Sequence, residues 1–283
     1  MQGGSPALAR RRLGHALQEL RLQANLTGEE AAAAVERSGS WLSRVESGRI
    51  GVRRPDLLVL LDKYGIRDIQ QRRRLEALAQ ESHKRGWWSR YSDALSESHA
   101  VFIGLEDVAT SIATFENAVI PGLLQTEKYA RALFGNLMPT LTLDLVEKRT
   151  AVRIGRQRNI LGREHPPRLT FILDESVLYR PIGGTEALNE QLERVIEATR
   201  RPFIEVRVFP FAAAEHNPLI LAFTKMTFED DPDVVYVETA TGGVYEDESQ
   251  IPTYTQILDH LLNSTLDTQA SVAALRAAQE RLQ

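Results

Sequence analysis

No cysteine occurs among the 283 residues. This excludes disulfides, thiolate zinc sites and cysteine nucleophiles together, and it suits the reducing cytoplasm, where we expect the protein to reside. No apolar run approaches the roughly 18 residues a membrane helix needs, so no membrane partner is expected. The N-terminal "MQGGSPALARRRLG" has arginines but no apolar stretch behind them, so it does not read as a secretory leader. The sequence has no phosphate-cradling G-x-x-x-x-G-K-[S/T] loop, no G-x-G-x-x-G and no G-x-S-x-G. Its six histidines, His15, His83, His99, His165, His216 and His260, follow no metal-ligand spacing. The acidic pairs Asp230/Asp231 and Glu246/Asp247 fall in expected turns. The expectation is a protein that is not an enzyme, with no catalytic residue, no metal and no cofactor.

Positive charge is missing from one long stretch: from Met226 to Leu275 there is no Lys or Arg. The overall net charge of −4 hides this asymmetry. Residues 1–90 carry 17 Lys and Arg against 10 Asp and Glu, whereas the remainder carries 17 against 28. A basic first third on an acidic body suggests that only the N-terminal part meets a polyanion. Chance drift of charge between two domains would look the same.

What is present organises the chain. The first 85 residues read as five short helices. Leu8, Leu13, Ala16, Leu17 and Leu20 lie near one helical face. Thr27 with Glu30 forms a capping box before an alanine run. Ser38 is placed as the next N-cap, Gly48 as a helix stop, Pro55 at a first turn and Asp68 as a further cap. Between residues 100 and 161 the pattern predicts three helices, the first running through "IGLEDVATSIATFENAVI" to Pro121. After "REHPP" the order becomes strand, helix, strand, in "RLTFILDES", "TEALNEQLERVIEATR" and "FIEVRVFPF", which implies a parallel pair. "LILAFTKMTFE" and "DVVYVETA" read as a hairpin, "GGVYED" as a short edge strand, and the chain is helical again from Ile251. The fold class is therefore mixed. An all-α five-helix domain, residues 1–85, precedes an α+β domain, residues 86–283, with a small mixed sheet. Trp87, Trp88 and Tyr91 form an aromatic group beside the linker, placed to seal a joint or to hold a ligand.

The stretch "SGSWLSRVESGRIGVRR", Ser38 to Arg54, carries the sharpest signal. Leu42 and Val45 lie three apart, in phase to point inward, which leaves Gly39, Ser40, Ser43 and Arg44 facing outward. Glu46 is placed for an internal ion pair. Within "LTGEEAAAAVERSGSWLSRVESGR", Leu26, Thr27, Ala31, the Ser38–Ser40 start and the run Leu42 to Glu46 ending at Gly48 resemble the lambda-repressor/Cro-like helix-turn-helix family. The resemblance covers about residues 13–66. In that family the outward face of the second helix lies in the major groove, which implies double-stranded operator DNA as a partner. The implied DNA-binding residues are Thr27, Ser38, Ser40, Trp41, Ser43, Arg44, Arg49, Arg53 and Arg54. Arg44 offers a fork to guanine, and Arg49, Arg53 and Arg54 sit where phosphate clamps are expected. The family often has glutamine at the start of both motif helices; here those places hold Gly28 and Gly39.

A second resemblance rests on Pro121-Gly122-Leu123-Leu124-Gln125-Thr126, then Tyr129-Ala130-Arg131, with "GLEDVA", "RIGRQRNIL", "VRVFPF" and "VVYVET". Together with the N-terminal match, these resemble the actinobacterial antitoxin-like (WhiJ-like) transcriptional regulators. The resemblance implies a small partner protein encoded by a neighbouring gene. Partner or ligand candidates are Glu106, Pro121, Gly122, Leu123, Leu124, Gln125, Thr126, Tyr129, Arg131, Asp230, Asp231 and Asp233. The chemistry of "PGLLQT" equally fits a plain corner: Pro121 ends the helix, Gly122 turns and Thr126 caps the next helix. A homodimer is expected, because such domains commonly read two half-sites. Ile257, Leu258, Leu261 and Leu262 offer either its interface or a face buried within the same chain. The expected function is a DNA-binding transcriptional regulator whose C-terminal domain receives a protein or ligand signal. The alternatives are an antitoxin-like protein that sequesters a partner and a small-molecule-sensing repressor.

Overall fold

A computed structural model of the chain describes residues 5–84, 86–137, 141–213, 221–239 and 242–282. Among the positions that the sequence singles out, Met1–Gly4, Arg85, His216, Leu219, Ile220 and Ala240 lie outside the described residues. The chain divides into two compact units, Met1–Ser92 with Glu97–Val108, and Asp93–Ser96 with Ala109–Gln283.

The first unit holds α1 (Pro6–Gln23), α2 (Gly28–Ala33), α3 (Gly39–Glu46), α4 (Arg54–Lys63), α5 (Ile69–Ser82) and α6 (Glu97–Glu106). Local chemistry sets most of its boundaries. The Thr27 hydroxyl accepts from Glu30 N–H while the Glu30 carboxylate accepts from Thr27 N–H, closing the expected capping box. Ser38 and Asp68 cap α3 and α5, and Pro55 sits in the first turn of α4. Gly48 ends the α3 segment at φ +69°, a left-handed conformation that side chains resist. Leu13, Leu17, Leu42, Val45, Leu57, Leu60 and Leu61 meet in one core, each buried leucine contributing roughly 1.5–3 kcal/mol by leaving water. The helix α6 is apolar all round from Val101 to Leu105 and packs on α1. There Ser5 Oγ donates to Gly104 O, and Ala7 and Trp88 lie beside Gly104. The expected boundary between residues 85 and 86 thus falls inside this compact unit.

Among the described residues, the second unit is built on a six-stranded sheet, ordered β3-β2-β1-β4-β5-β6. Its strands are β1 (Ser111–Glu116), β2 (Arg168–Asp174), β3 (Ile204–Phe209), β4 (Phe223–Thr227), β5 (Val234–Val237) and β6 (Val244–Tyr245). β1, β2 and β3 run parallel; β4, β5 and β6 continue the sheet antiparallel. Helices α7 (Glu127–Leu137) and α8 (Leu143–Leu161) connect β1 to β2, and α9 (Thr185–Ala198) connects β2 to β3, as parallel neighbours require. Helices α10 (Ile251–Ser264) and α11 (Thr268–Glu280) complete the unit.

One sequence expectation fails here. Residues 103–120 do not form an amphipathic helix: α6 stops at Glu106, and Ser111–Glu116 is the sheet's inner strand β1. An all-apolar helix end followed by "SIATFE" imitates a helical period. Pairing with β2 on one side and β4 on the other decides the strand, because that pairing satisfies both sides of its backbone. The faces alternate accordingly: Phe115 joins Ile172, Phe209, Phe223, Val235 and Val237 in a cluster covered by Leu258 and Leu261. Ile257 and Leu262, both half-buried, pack against the same cluster, so the apolar face of α10 packs within the chain. The open edge of β3 is closed too. Leu266 N–H donates to Val208 O at 2.9 Å, and Val208 N–H donates to Ser271 Oγ at 2.9 Å.

Candidate nucleic-acid interface

Leu42 and Val45 anchor α3 inward, at 0% and 2% exposure. The opposite face carries Ser40, Ser43 and Arg44, all exposed, and Arg49 comes just after it, also exposed. The position of this helix is fixed from below by one ion pair. Arg21 of α1 grips Glu46 through both guanidinium arms, Nε to Oε1 at 2.7 Å and Nη2 to Oε2 at 3.0 Å. Its third donor, Nη1, reaches Leu26 O at 2.8 Å, just ahead of α2. Glu46 is thus committed internally, as expected. The hydrogen bond to Glu46 raises the Arg21 pKa further above its ordinary value.

The nine implied contact residues fall into three groups. Arg44 and Arg49 hold guanidinium groups that no hydrogen bond or ion pair engages among the described residues. Arg53 and Arg54 are exposed but paired, Arg53 to Asp56 at 3.1 Å and Arg54 to Glu76 at 2.8 Å. Exposed pairs of this kind hold by about 0–1 kcal/mol, so phosphate can displace the carboxylate cheaply. The small polar residues serve the fold first. The Thr27 hydroxyl closes the capping box. Ser38 Oγ accepts from Trp41 N–H at 3.3 Å and shares a 2.9 Å hydrogen bond with Ser40 Oγ. Trp41 is half-buried against the core, with Arg37 over its ring at 6.0 Å from the centroid. Ser43 is exposed. One participant escaped the sequence reading: Glu29 on α2, whose Oε2 accepts from Gly39 N–H at 3.1 Å. Nothing in a linear pattern links residues ten apart on two different helices.

The second candidate stretch turns inward. Pro121, Leu123, Leu124, Gln125 and Tyr129 are buried, with Gln125 at 1% and Tyr129 at 0% exposure. Two glutamines hold the backbone of this corner. Gln157 Nε2 of α8 donates to Gly122 O at 2.8 Å and to Gln125 O at 2.7 Å. Gln191 of α9 accepts from Thr126 N–H at 2.7 Å and donates to Leu124 O at 2.9 Å. Gln125 Nε2 donates to Ile120 O, and Ile120 N–H donates to Tyr129 OH. Thr126 Oγ1 caps α7 through Tyr129 N–H at 3.1 Å. Burial pushes the Tyr129 phenol up to about 12. Arg131 alone faces outward, bridged to Glu127 at 2.9 Å and Glu147 at 2.8 Å.

The remaining candidates are scattered. Glu106 is buried at the end of α6, in the first unit. Asp230 is exposed in the β4–β5 turn, Asp231 is half-exposed, and Asp233 pairs with Lys225 at 2.8 Å. At the end of β1, burial raises the Glu116 carboxyl to about 8; the Glu238 carboxylate adds to this and Arg153 opposes it. Among the described residues no three His, Cys, Asp or Glu side chains gather to hold a metal ion, and no helix is long and apolar enough to cross a membrane.

Residues 12–75 match a helix-turn-helix domain family, a span that includes the whole of α2, α3 and α4. Residues 100–277, more than half of the chain, match the family described as a domain of unknown function, DUF5753. The chain belongs to the DUF5753 family. No curated protein and no solved structure gives a significant match. The DUF5753 segment opens inside α6, takes in the glutamine-latched corner and the whole sheet, and ends in α11.

Proposed function

We propose that the protein is a transcriptional regulator that binds double-stranded operator DNA through the exposed face of α3. The observation that carries this reading is the pair of unengaged guanidinium groups, Arg44 and Arg49, on and just after a helix whose inner face is fixed by Leu42, Val45 and the Arg21–Glu46 pair. The helix-turn-helix match supports it. Arg44 reads a base edge, and Arg49 clamps phosphate together with Arg53 and Arg54. A homodimer would place two such helices one turn of DNA apart.

The DUF5753 unit is the half that receives a signal. Its exposed acidic turn at Glu229 and Asp230, within the stretch free of Lys and Arg, favours a basic protein partner over a metabolite. The resemblance to antitoxin-like regulators points the same way. The cytoplasm is the setting this implies.

The test is fluorescence anisotropy of the full chain on DNA from its own upstream region, across a salt series. Each phosphate contact contributes about −0.9 to the slope of log K against log salt, so three or four clamping arginines per protomer predict a steep dependence. Affinity that ignores salt would sink the reading.

A further inference from the structure

The helix proposed to enter the groove begins under a carboxylate. Gly39, its first residue, donates its N–H to Glu29 Oε2 at 3.1 Å. A methyl group on residue 39 would overlap that same carboxylate, the far end of a flexible side chain, and push it aside. The glycine makes the approach possible, and the glutamate fills the space it leaves. The neighbouring groups are also committed, Trp41 N–H to Ser38 Oγ and the Ser38 and Ser40 hydroxyls to each other. A negative group, exposed and hydrogen-bonded to the first N–H, therefore stands at the start of α3, on the surface that goes on to present Ser40, Ser43 and Arg44.

Charge and hydrogen-bond polarity then act on DNA in two ways. A helix N-terminus with free N–H groups attracts phosphate. Here the N–H groups of Gly39 and Trp41 are taken and one acceptor is itself an anion, so a phosphate is disfavoured. In the major groove guanine and thymine present acceptor oxygens, which face a carboxylate badly. Adenine presents an N6 amino donor beside an N7 acceptor that repels the carboxylate, whereas cytosine presents its N4 amino donor without such a neighbour and faces it best.

We propose that Glu29 is a specificity-determining residue: its carboxylate, held against Gly39 at the start of α3, excludes phosphate there and selects a cytosine edge in the operator. The inference rests on the proposed DNA binding. It concerns a residue of α2, outside the face of α3 that carries that reading.

The experiment uses the full chain and a randomised duplex library, selected and sequenced for wild type, Glu29→Gln and Glu29→Asp. Affinity for random DNA is measured alongside. Glutamine keeps an acceptor for Gly39 N–H but loses the charge. It should raise random-DNA affinity severalfold and relax one cytosine-preferring position by about tenfold. Aspartate keeps the charge and shortens the reach, so it should hold random-DNA affinity low and still relax that position. It also keeps the test open if the glutamine variant does not fold. Identical base preferences and identical random-DNA affinity in wild type and the folded variants would overturn the proposal and leave Glu29 a helix cap. A wild-type chain that enriches no sequence and shows no salt-dependent binding would overturn the DNA-binding reading itself, and this inference with it.

Discussion

Two corners of the molecule look alike in the sequence and differ in what they do with their polar groups. The α2–α3 corner sends Ser40, Ser43, Arg44 and Arg49 outward, and leaves both guanidinium groups unengaged among the described residues. The corner from Ile120 to Thr126 sends its polar groups inward, where Gln157, Gln191 and Tyr129 meet the backbone. Both are short turns between elements, and both contain a motif recognisable at sight. The difference teaches that a conspicuous motif marks a constrained backbone, and only the direction of its polar groups separates a surface from a frame. A buried backbone group without a partner costs about 1–3 kcal/mol, so the inner corner is specified by the fold's own accounting of hydrogen bonds. The outer corner has water for its alternative and is free to serve something else.

The comparison is broken most strongly from the inside. Gln191→Ala strips partners from Leu124 O and Thr126 N–H together, and should cost roughly 2–5 kcal/mol of stability in the second unit. Thermal or urea unfolding measures this. Operator affinity per folded molecule should be unchanged, and a variant of wild-type stability would show that the latch is idle. At the outer corner the pattern reverses. Arg44→Ala should weaken operator binding by about 1–3 kcal/mol while unfolding stays within about 0.5 kcal/mol of wild type. Loss of equal size on operator and random DNA would reassign Arg44 from base to phosphate.

The smallest effect sharpens the contrast through pH. Glu116 has its carboxyl raised from 4.5 to about 8 by burial first and by Glu238 second. Between these values the folded chain holds a proton that the unfolded chain has released. Stability from this group is therefore full below about pH 4.5, declines as pH rises toward 8, and is flat above. Because the side chain is partly accessible, the change should be about 1 kcal/mol, or roughly 2–4 °C in Tm. Glu116→Gln should flatten that slope, while no such slope belongs to the α2–α3 corner. Equal pH profiles for the two proteins would remove Glu116 as its source.

Distance along the chain decided what was legible in the sequence. Caps act within three or four residues, so Thr27 with Glu30, Ser38, Asp68 and Thr126 could be placed from the sequence, as could the inward phase of Leu42 and Val45. The strand–helix–strand order from Arg168 to Phe209 was equally plain, since each element carries its own period. β1 was not. Its identity depends on partners at Arg168–Leu173 and Phe223–Thr227, which its local pattern does not contain. The Glu29–Gly39 contact and the Gln157 and Gln191 latches were hidden for the same reason. They join residues 10, 32 and 65 positions apart, and an isolated glutamate or glutamine carries no sign of its distant acceptor or donor. The Arg21–Glu46 pair was half visible: Glu46 could be assigned an internal partner but not which one.

The packing of α6 has a consequence for grafting. A designer who wants the helix-turn-helix unit on another body would cut where the two family matches part, between residues 75 and 100. That cut would take away α6 and uncover Ala7 at 1% exposure and Trp88 at 7%, leaving Ser5 without the carbonyl of Gly104. The transplant must instead carry the chain through Val108, so the opening segment of the DUF5753 match travels with the helix-turn-helix unit. The seam between the family matches is not the seam of the compact unit.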